Sequence, residues 1–435
     1  MGESSSPIYY VISDLHIGGD EQIGEIPFRD ELLEFLEELR QKDDDVELII
    51  NGDAFGLWEY TGVAGPEKLE LLIDSYPAVF DQLKRTGETV EITLLPGNHD
   101  HELAAYEAYV DRLATYNIRL VQDESITRDI GDQIVYFEHG HQRDANNRFE
   151  DFGNPHEKPL GYHYNTRVIS RAGHLSDRGR VNWLKDIQAV TPTQRIGSWV
   201  LSKYFYREMH PMLRYAVLPF LLLFNISLIM VILTGLDLLG IWSMPVTATV
   251  GFLGQFGMAG TAVYILLVLN IGIAALLVLI GIPAYFILLD LRRTIDRFGI
   301  FETPLTVDPD EPYEDAARDT FEANPEVAVF CYGHTHRPVI RQVDGGALVN
   351  SGTWLKRLHR RNVIAGILPP VYYPSYQLGA IRLEETDGGI GVTFENIEKP
   401  SPKGEELTLT ERVLTLGREP QPDVPEPVVV TDSGA

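Results

Sequence analysis

The chain has 435 residues, more than one hydrophobic core usually organises, so we expect a catalytic domain and at least one further unit. Its formal net charge of -27 argues against nucleic acid as a partner, because most of the surface would repel a phosphate backbone. A single cysteine, Cys331, excludes an intrachain disulfide framework and a cysteine-rich zinc site.

Residues 1–141 alternate β-rich runs with helical patterns, which is typical of an α/β domain. The N-terminus carries no basic stretch followed by an apolar core of signal-peptide length, so we expect this domain in the cytoplasm. Strands are predicted at 8–13, 46–51 and 89–95, and helices near 28–42 and 66–86.

Residues 142–215 differ in charge from the rest of the chain, with 12 Lys and Arg against 7 Asp and Glu. We interpret them as a basic, cytoplasmic, helical insertion. Two readings of the basic side chains stay open: binding of a substrate phosphate, or anchoring to anionic lipid headgroups. These residues are Arg143, Arg148, Arg167, Arg171, Arg178 and Arg180.

Residues 216–289 contain one charged side chain, Asp237, in 74 positions, which indicates a membrane region rather than a soluble core. Two transmembrane spans are predicted, at about 216–236 and about 261–289. The stretch 242–260 is rich in small and polar residues, and we interpret it as an external loop or a re-entrant hairpin rather than a third span.

Basic residues flank this region on both sides, with Lys203, Arg207 and Arg214 before it and Arg292, Arg293 and Arg297 after it. The positive-inside rule therefore places both flanks in the cytoplasm, so the two spans form a hairpin. After it, residues 290–397 turn soluble again, with strands predicted near 327–332, 337–343, 346–350 and 379–383. Residues 398–435 are predicted to be a disordered acidic tail.

Five polar clusters each follow an apolar strand, at the end where layered α/β folds commonly build active sites. Their side chains are oxygen and nitrogen ligands that suit divalent ions such as Mn, Fe or Zn, without the thiolates of a structural zinc site. Alternation along an extended segment would point Asp14 with His16, and His334 with His336, to one side. The clusters are Asp14-Leu15-His16, Gly52-Asp53, Gly97-Asn98-His99-Asp100, His139-Gly140-His141 and Gly333-His334-Thr335-His336.

This ordered set resembles the motif pattern of the calcineurin-like metallophosphoesterase superfamily. The resemblance covers roughly residues 8–141 and 327–354. It implies an α/β fold, an αββα sandwich of two mixed sheets, here interrupted by a helical insertion that contains the two-span transmembrane hairpin. The stretch Asn350-Ser351-Gly352 also looks like the closing loop of that family, although a simple turn explains it equally well.

The resemblance implies a site for two divalent metal ions. It assigns Asp14, His16 and His336 to one ion and Asn98, His139 and His334 to the other, with Asp53 bridging both. Mn²⁺ is the expected metal, with Fe, Zn or Ni as alternatives. Two such ions can share a bridging hydroxide that attacks the phosphorus in line.

His99 stands where the family has a general acid, and Asp100 is its expected orienting partner. His101, His141 and His359 are interpreted as solvated or capping residues and stay outside the predicted site. The two halves of the site must lie on one side of the membrane, so the number of complete crossings between residues 141 and 333 has to be even.

A more distant similarity links the motif plan to UDP-2,3-diacylglucosamine hydrolases, which receive a lipid under a helical lid and suggest a lipid-linked phosphate here. This sequence departs from them at His99, where they carry arginine, and at His141, where they carry aspartate. Both departures place the lipid A precursor itself in doubt as the substrate.

We therefore predict a multi-pass protein of the cell membrane that hydrolyses a phosphoester or phosphoanhydride of a small-molecule, nucleotide-linked or lipid-linked substrate, with its catalytic domain facing the cytoplasm. The alternative from another class is a membrane sensor or scaffold that binds metal or nucleotide without turnover. A nuclease is disfavoured by the acidity of the chain, and a transporter by the lack of intramembrane charge beyond Asp237.

Overall fold

The computed structural model describes residues 7–19, 26–169, 184–187, 189–190, 195–210, 229, 232, 236, 239–241, 251–297, 310–363, 368–400, 407–416 and 424–431. Most of the first predicted span, 216–236, and residues 242–250 lie outside this description.

The strands in chain order are β1 (Ile8–Ile12), β2 (Val46–Asn51), β3 (Glu91–Leu95), β4 (Ile118–Leu120), β5 (Ser125–Ile130), β6 (Gln133–Glu138), β7 (Val327–Tyr332), β8 (Pro338–Val343), β9 (Gly346–Ser351), β10 (Arg357–Val363), β11 (Leu368–Ser375), β12 (Leu378–Thr386), β13 (Gly389–Ile397) and β14 (Val428–Val430). The helices are α1 (Arg29–Arg40), α2 (Glu67–Ser75), α3 (Pro77–Thr86), α4 (Glu107–Ala114), α5 (Leu160–Tyr164), α6 (Ile196–Lys203), α7 (Gly257–Arg297), α8 (Glu311–Ala323) and α9 (Leu409–Leu414).

Two mixed sheets form the centre of the fold. The first has the order β14-β13-β12-β1-β2-β3-β4, in which β1 to β4 run parallel and β12 to β14 run antiparallel. The second has the order β5-β6-β7-β9-β8, with a parallel centre and antiparallel edges. The predicted α/β class with mixed sheets is thus confirmed.

Alternation along the strands gives each sheet two buried faces. Val11 of β1 packs in one cluster with Phe137 of β6 and Val329 of β7, which joins the two sheets. Tyr10 and Ile12 of β1 face the other way and pack against α1, α2 and α3. On the outer face of the second sheet, α8 covers β7 and β9. The layers therefore follow the order helix, sheet, sheet, helix.

The helices next to the first sheet follow from the sequence pattern. Leu32, Phe35, Leu36 and Leu39 recur at the spacing of one helix face, and all four are buried. The predicted helix at 66–86 is two helices, because Tyr76 leaves the helical conformation before Pro77, which begins α3.

A two-stranded ribbon, β10 and β11, was missed by the sequence prediction. Its second strand contains Pro369, Pro370 and Pro374, which lower the strand signal because proline cannot donate a ladder hydrogen bond. The ribbon packs against the basic insertion, where Trp199 of α6 lies against Tyr372.

The prediction of a disordered tail at residues 398–435 is wrong for part of that stretch. Val428–Val430 pair with β13 at the edge of the first sheet, and Val430 is buried in the core between the sheets. Helix α9 begins with a capping box formed by Thr408 and Glu411. The valine run and the helix cap stabilise β14 and α9, which the high Pro and Glu content of the tail argued against.

One helix in the described part of the chain is long and apolar enough to cross a membrane, within Gly257–Leu277, where the mean hydropathy is 2.2. It begins at Gly257 and includes 257–260, so the end of the stretch interpreted as an external loop is helical. The two-span hairpin is not confirmed, because its first span falls almost entirely on residues that the structure does not describe.

Trp354 connects the loop after β9 to the core of the first sheet. It is 1% exposed, packs against Phe28 and Phe35, and donates its indole N–H to the carbonyl of Gly379. We expect Trp354→Ala to lower the free energy of unfolding by about 3–5 kcal/mol, since it removes a large buried side chain. Urea denaturation followed by circular dichroism measures this. Leu71→Ala on α2, where Leu71 is 40% exposed, is the control with an expected change of about 0.5 kcal/mol or less. Equal losses in both variants would contradict the packing role.

Candidate metal centre

The predicted site residues follow strands that lie next to one another. Asp14 and His16 follow β1, Asp53 follows β2, and Asn98 follows β3, which are neighbours in the first sheet. His139 follows β6, and His334 and His336 follow β7, which are neighbours in the second sheet. Because these strands are parallel within each sheet, their carboxyl ends meet at one edge.

Asp14, His16 and His336 form one group of ligand-type atoms within 4.8 Å of one another. The Nε2 atom of His336 lies 3.2 Å from Oδ1 of Asp14, and the Nε2 atom of His16 lies 3.8 Å from the same oxygen. The two Nε2 atoms are 3.3 Å apart. Three ring and carboxylate atoms therefore converge on one point.

Asp53, His139 and His334 form a second group of the same kind. The Nε2 atom of His139 lies 3.3 Å from Oδ2 of Asp53, and that oxygen lies 3.6 Å from Nε2 of His16 in the first group. Asp53 therefore stands between the two groups. Asn98 is 2% exposed, and its Oδ1 atom accepts no hydrogen bond from the described residues.

Five of these residues adopt a left-handed backbone conformation, which side chains other than glycine rarely take. Their φ angles lie between 46° and 65°. These side chains therefore reach the ligand groups through tight turns beyond the strands, not through strand alternation as the sequence suggested. The five residues are Asp14, His16, Asp53, His334 and His336.

Neighbouring groups orient the site residues from outside. The Nδ1 atom of His139 lies 2.8 Å from the carbonyl oxygen of Asn51, which leaves Nε2 facing Asp53. The Nε2 atom of His334 lies 3.1 Å from Oδ2 of Asp144. A carboxylate or carbonyl behind a histidine ring is the usual second partner of a metal-binding histidine.

The turn after β7 and the loop after β9 both hold Asp14 in place. The backbone N–H of His334 donates to Oδ2 of Asp14 over 3.0 Å, and the hydroxyl of Thr353 donates to the Asp14 carbonyl over 2.7 Å. The hydroxyl groups of Ser13 and Ser351 are 2.8 Å apart. The predicted closing loop thus contacts the residues around the site.

Two glycines of the motifs cannot be replaced by larger residues, because side chains of the site lie directly against them. A Cβ atom at Gly97 would lie 2.2 Å from Oδ1 of Asp53, and one at Gly52 would lie 2.3 Å from Nδ1 of His139. Gly52 also has a φ of 87°, where a side chain is strained. The glycines of the G-D and G-N-H-D motifs therefore leave the space that the ligand-type side chains occupy.

Opposite charges inside the site shift its pKa values. Burial raises the pKa of Asp14, but the nearby His336 and His16 outweigh burial and hold it well below its usual range. The pKa of Asp53 is also lowered, against burial, by His139 and His99. Burial lowers the pKa of His139, whereas Asp53 raises it, and the net result is about 10. The cluster therefore buries ionised carboxylates, which attract cations.

The donor set fits divalent metal ions. Three buried atoms of predicted ligands make no hydrogen bond within the described residues, namely Oδ1 of Asp14, Oδ1 of Asn98 and Nε2 of His139. Buried polar atoms without a hydrogen-bond partner are costly, at roughly 1–3 kcal/mol each, unless a ligand satisfies them. Carboxylate, amide and imidazole atoms are ligands of Mn, Fe, Ni or Zn ions.

The structure gives Asp100 a different role from the one expected. Its carboxylate accepts the backbone N–H groups of Gly97 over 2.6 Å and Phe55 over 3.1 Å, and so it braces two site loops rather than His99. Burial and the charge of Asp53 raise the pKa of Asp100 to about 6. The prediction of Asp100 as the orienting partner of His99 is therefore wrong.

His99 is held by two residues that the sequence did not indicate. Its ring stacks on Trp58 with ring centres 4.3 Å apart, and its Nδ1 atom lies 3.6 Å from Oε1 of Glu59. Its backbone N–H donates to Oδ1 of Asp53 over 2.7 Å. Trp58 and Glu59 lie on a 3-10 turn, Leu57–Glu59, whose sequence carries no motif that marks it.

Three histidines were left out of the predicted site, and two of them, His101 and His141, are buried. The Nε2 atom of His101 accepts the backbone N–H of Gly153 over 3.1 Å, and its ring stacks on Phe149. His141 is 1% exposed, and neither ring nitrogen makes a hydrogen bond within the described residues. His359 lies on β10 and belongs to neither of these groups of ligand-type atoms.

Similarity to solved structures is low. A predicted phosphoesterase from Streptococcus pneumoniae TIGR4 is 10% identical with a TM-score of 0.29, and the match covers 93% of this chain and 96% of that one. A dimetal phosphatase from Danio rerio is 9% identical with a TM-score of 0.35, and the match covers 91% and 98%. Scores this low support no inference about this chain. Among curated proteins, none matches it.

A protein-family comparison is more informative. The family model described as calcineurin-like phosphoesterase matches residues 9–229, which is more than half of the 435 residues. The matched part includes Asp14, His16, Asp53 and His139. The chain therefore belongs to the calcineurin-like phosphoesterase family, and it is a metal-dependent phosphoesterase whose His and Asp clusters form a dinuclear site for divalent metal ions.

Proposed function

We propose that this protein hydrolyses a phosphoester or phosphoanhydride at a membrane surface, on a phosphorylated small-molecule or lipid-linked substrate. The observation that carries the proposal is the convergence of two ligand groups on Asp53, within 4.8 Å in each group. Asp14, His16 and His336 would hold one ion, and Asn98, His139 and His334 the other, with Asp53 shared. Mn²⁺ is the metal we propose first, with Fe, Zn or Ni as alternatives.

Two bound divalent ions would neutralise charge on the phosphoryl oxygens and make water more acidic. The chain itself supplies orientation and a proton. His99 is partly exposed, and because its Nδ1 atom faces Glu59, its Nε2 atom is the one free to face a substrate. In this proposal His99 donates a proton to the departing oxygen, and Trp58 and Glu59 hold the ring in place.

The first prediction concerns metal content. We expect the purified protein to bind two divalent ions per chain and to unfold at a higher temperature when Mn²⁺ is present, because the ions bind only the folded site. Asp53→Asn should lose the bound metal and this stabilisation, since the variant lacks the shared charge. Plasma mass spectrometry and thermal denaturation measure both effects.

Asp132→Asn is the matched control for that experiment, because Asp132 is an exposed aspartate on the turn between β5 and β6. It should bind metal like the unsubstituted protein. Two ions bound equally by the Asp53→Asn variant would contradict the assignment of Asp53.

The second prediction concerns turnover. We expect Mn²⁺-dependent release of p-nitrophenol from p-nitrophenyl phosphate or bis-p-nitrophenyl phosphate by detergent-purified protein. His99→Asn should keep its metal content and lower kcat by roughly 10²–10⁴-fold on an alkyl phosphate such as glycerol phosphate, because the departing oxygen of that compound needs a proton. The loss should be smaller on the p-nitrophenyl compounds, because p-nitrophenolate leaves without one. Asp53→Asn should abolish turnover together with metal binding.

The competing function is a membrane sensor that binds metal or nucleotide without turnover. It would show two bound ions and no hydrolysis of either compound in high or low salt. A His99→Asn variant as active on the alkyl phosphate as the unsubstituted protein would instead contradict the role of His99.

Membrane attachment is supported by α7 and by the uncharged run around it. Apolar side chains along this helix face outward, among them Met258 at 91% and Ile265 at 59% exposure. Its 41 residues span about 60 Å, twice the thickness of a bilayer core, so it would extend beyond the membrane. A surface of this kind needs lipid or another apolar partner.

The site constrains the topology of the proposed membrane segment. His336, which follows α7 in the chain, lies 3.2 Å from Asp14, which precedes it. Both flanks of the insertion must therefore lie on one side of the bilayer, so α7 needs a second crossing as its partner. We assign that crossing to residues 216–236, with both flanks in the cytoplasm, as the basic residues on both sides favour.

The third prediction is that the protein stays in the membrane pellet after an alkaline carbonate wash and dissolves only in detergent. Paired substitutions Ile265→Arg and Leu269→Arg should release it, because each arginine costs about 2.5–3.5 kcal/mol in a membrane helix. Leu160→Arg, at an exposed position on α5, is the control and should stay in the pellet. Release of the unsubstituted protein by carbonate alone would contradict membrane attachment.

A further inference from the structure

Arg357, at the start of β10, has a buried Nε atom that makes no hydrogen bond, and its guanidinium group forms no ion pair with any residue that the structure describes. Its neighbour Lys356 contrasts with it, because its ammonium group lies 2.7 Å from Oδ1 of Asp186. The chain has 63 acidic and 36 basic residues, so acidic side chains that could pair with Arg357 are abundant. Only its Nε atom is buried, since the side chain as a whole is partly exposed, and a guanidinium group without an acidic partner is able to bind an anion.

Two connections place the start of β10 at the end of the fold that holds the metal centre. The hydroxyl of Thr353, four residues earlier, donates to the carbonyl of Asp14. Arg337 directly follows the site residue His336, and its charge acts on Arg357. The start of β10 and the turn after β7 therefore bring two guanidinium groups to the same end of the fold as the ligand groups.

Arg337 and Arg195 place positive charge around the start of β10, although Arg337 itself lies 3.7 Å from Oδ2 of Asp310. Burial, and then the charge of Arg337, lower the pKa of Arg357 to about 10. His359, two residues along the same strand, has its pKa lowered by burial and by the charges of Arg357 and Arg195. Repulsion among these groups is relieved by an anion that accepts hydrogen bonds from a guanidinium fork.

We propose that Arg357 binds a second anionic phosphoryl group of the substrate, next to the one that is hydrolysed. The protein would then prefer compounds with two phosphoryl groups, either soluble diphosphates or a lipid whose headgroup carries a diphosphate. This inference rests on the proposed function and adds a substrate class to it. It also gives the unpaired guanidinium a partner that the described chain does not provide.

The test measures binding rather than turnover, with the full chain in detergent micelles, loaded with Mn²⁺ and carrying His99→Asn to prevent hydrolysis. Isothermal titration calorimetry compares AMP with ADP as soluble probes, and phosphatidic acid with diacylglycerol pyrophosphate as lipid probes. We expect one diphosphate to bind more tightly than its monophosphate. Arg357→Met should weaken the binding of the diphosphate by about 10–100-fold, since a hydrogen bond to a charged group contributes about that factor to affinity. The affinity for the monophosphate should stay unchanged.

Arg360→Met is the matched control, because Arg360 is an exposed arginine on the same strand and should bind all four probes like the parent. A preference for ADP over AMP would indicate a soluble substrate, and a preference for diacylglycerol pyrophosphate over phosphatidic acid would indicate a lipid-linked one. Equal affinity for mono- and diphosphate in both pairs would overturn the inference. So would an Arg357→Met variant that keeps the preference but unfolds at a lower temperature, which would assign Arg357 a partner within the protein.

Failure of hydrolysis leaves this test intact. A protein that shows the diphosphate preference and loses it in Arg357→Met, yet hydrolyses neither p-nitrophenyl compound, would support the anion site and contradict the proposed hydrolase function. A protein that hydrolyses both p-nitrophenyl compounds but binds mono- and diphosphates equally would support the hydrolase function and contradict the anion site.

Discussion

The buried carboxylate of Asp53 is the constraint on which the rest of the structure depends. It lies 3.6 Å from the ring of His16 in one sheet and 3.3 Å from the ring of His139 in the other, and it accepts the backbone N–H of His99. An ionised carboxylate costs several kcal/mol to bury unless opposite charges and hydrogen bonds surround it. The two sheets, which an apolar cluster holds together, meet with their strand ends at one edge and so surround Asp53 with imidazoles from both.

The same requirement explains the unusual backbone of the site. Five residues that point ligand-type atoms inward take left-handed conformations, each of which costs of order 1–3 kcal/mol. Gly52 and Gly97 leave the space that a Cβ atom would otherwise occupy beside His139 and Asp53. Strain is thus concentrated in the turns after the strands, while the strands themselves stay regular and hold those turns in position.

Much of this could be predicted from the sequence, for a physical reason. Strands buried on both faces read as continuous apolar runs, so β2 and β7 were placed within a residue of their observed ends. The ligand-type residues stood out because each follows such a run. The direction in which they point could not be predicted, because it depends on left-handed turns that a pattern of apolar and polar residues does not encode.

Other features depend on contacts between distant parts of the chain. Glu59 and Trp58 come to lie against His99 only because the loops after β2 and β3 meet, and Asp144 reaches His334 across 190 residues. Neither partner is marked by a motif. The proline-containing ribbon β10–β11 and the three-residue edge strand β14 were missed for a related reason, because both gain their stability from tertiary neighbours.

The insertion that interrupts the enzyme contacts it on both sides of the site. On one side, Asn165 donates to Glu59 over 3.1 Å, and the ring of Tyr162 packs edge-on against Trp58, so the group that holds His99 is itself held by the insertion. On the other side, Ala189 accepts the backbone N–H of Leu358, next to Arg357. Helix α7 follows in the same insertion. The segment proposed to lie in the membrane and the residues that contact Glu59, Trp58 and Leu358 therefore belong to one stretch of the chain.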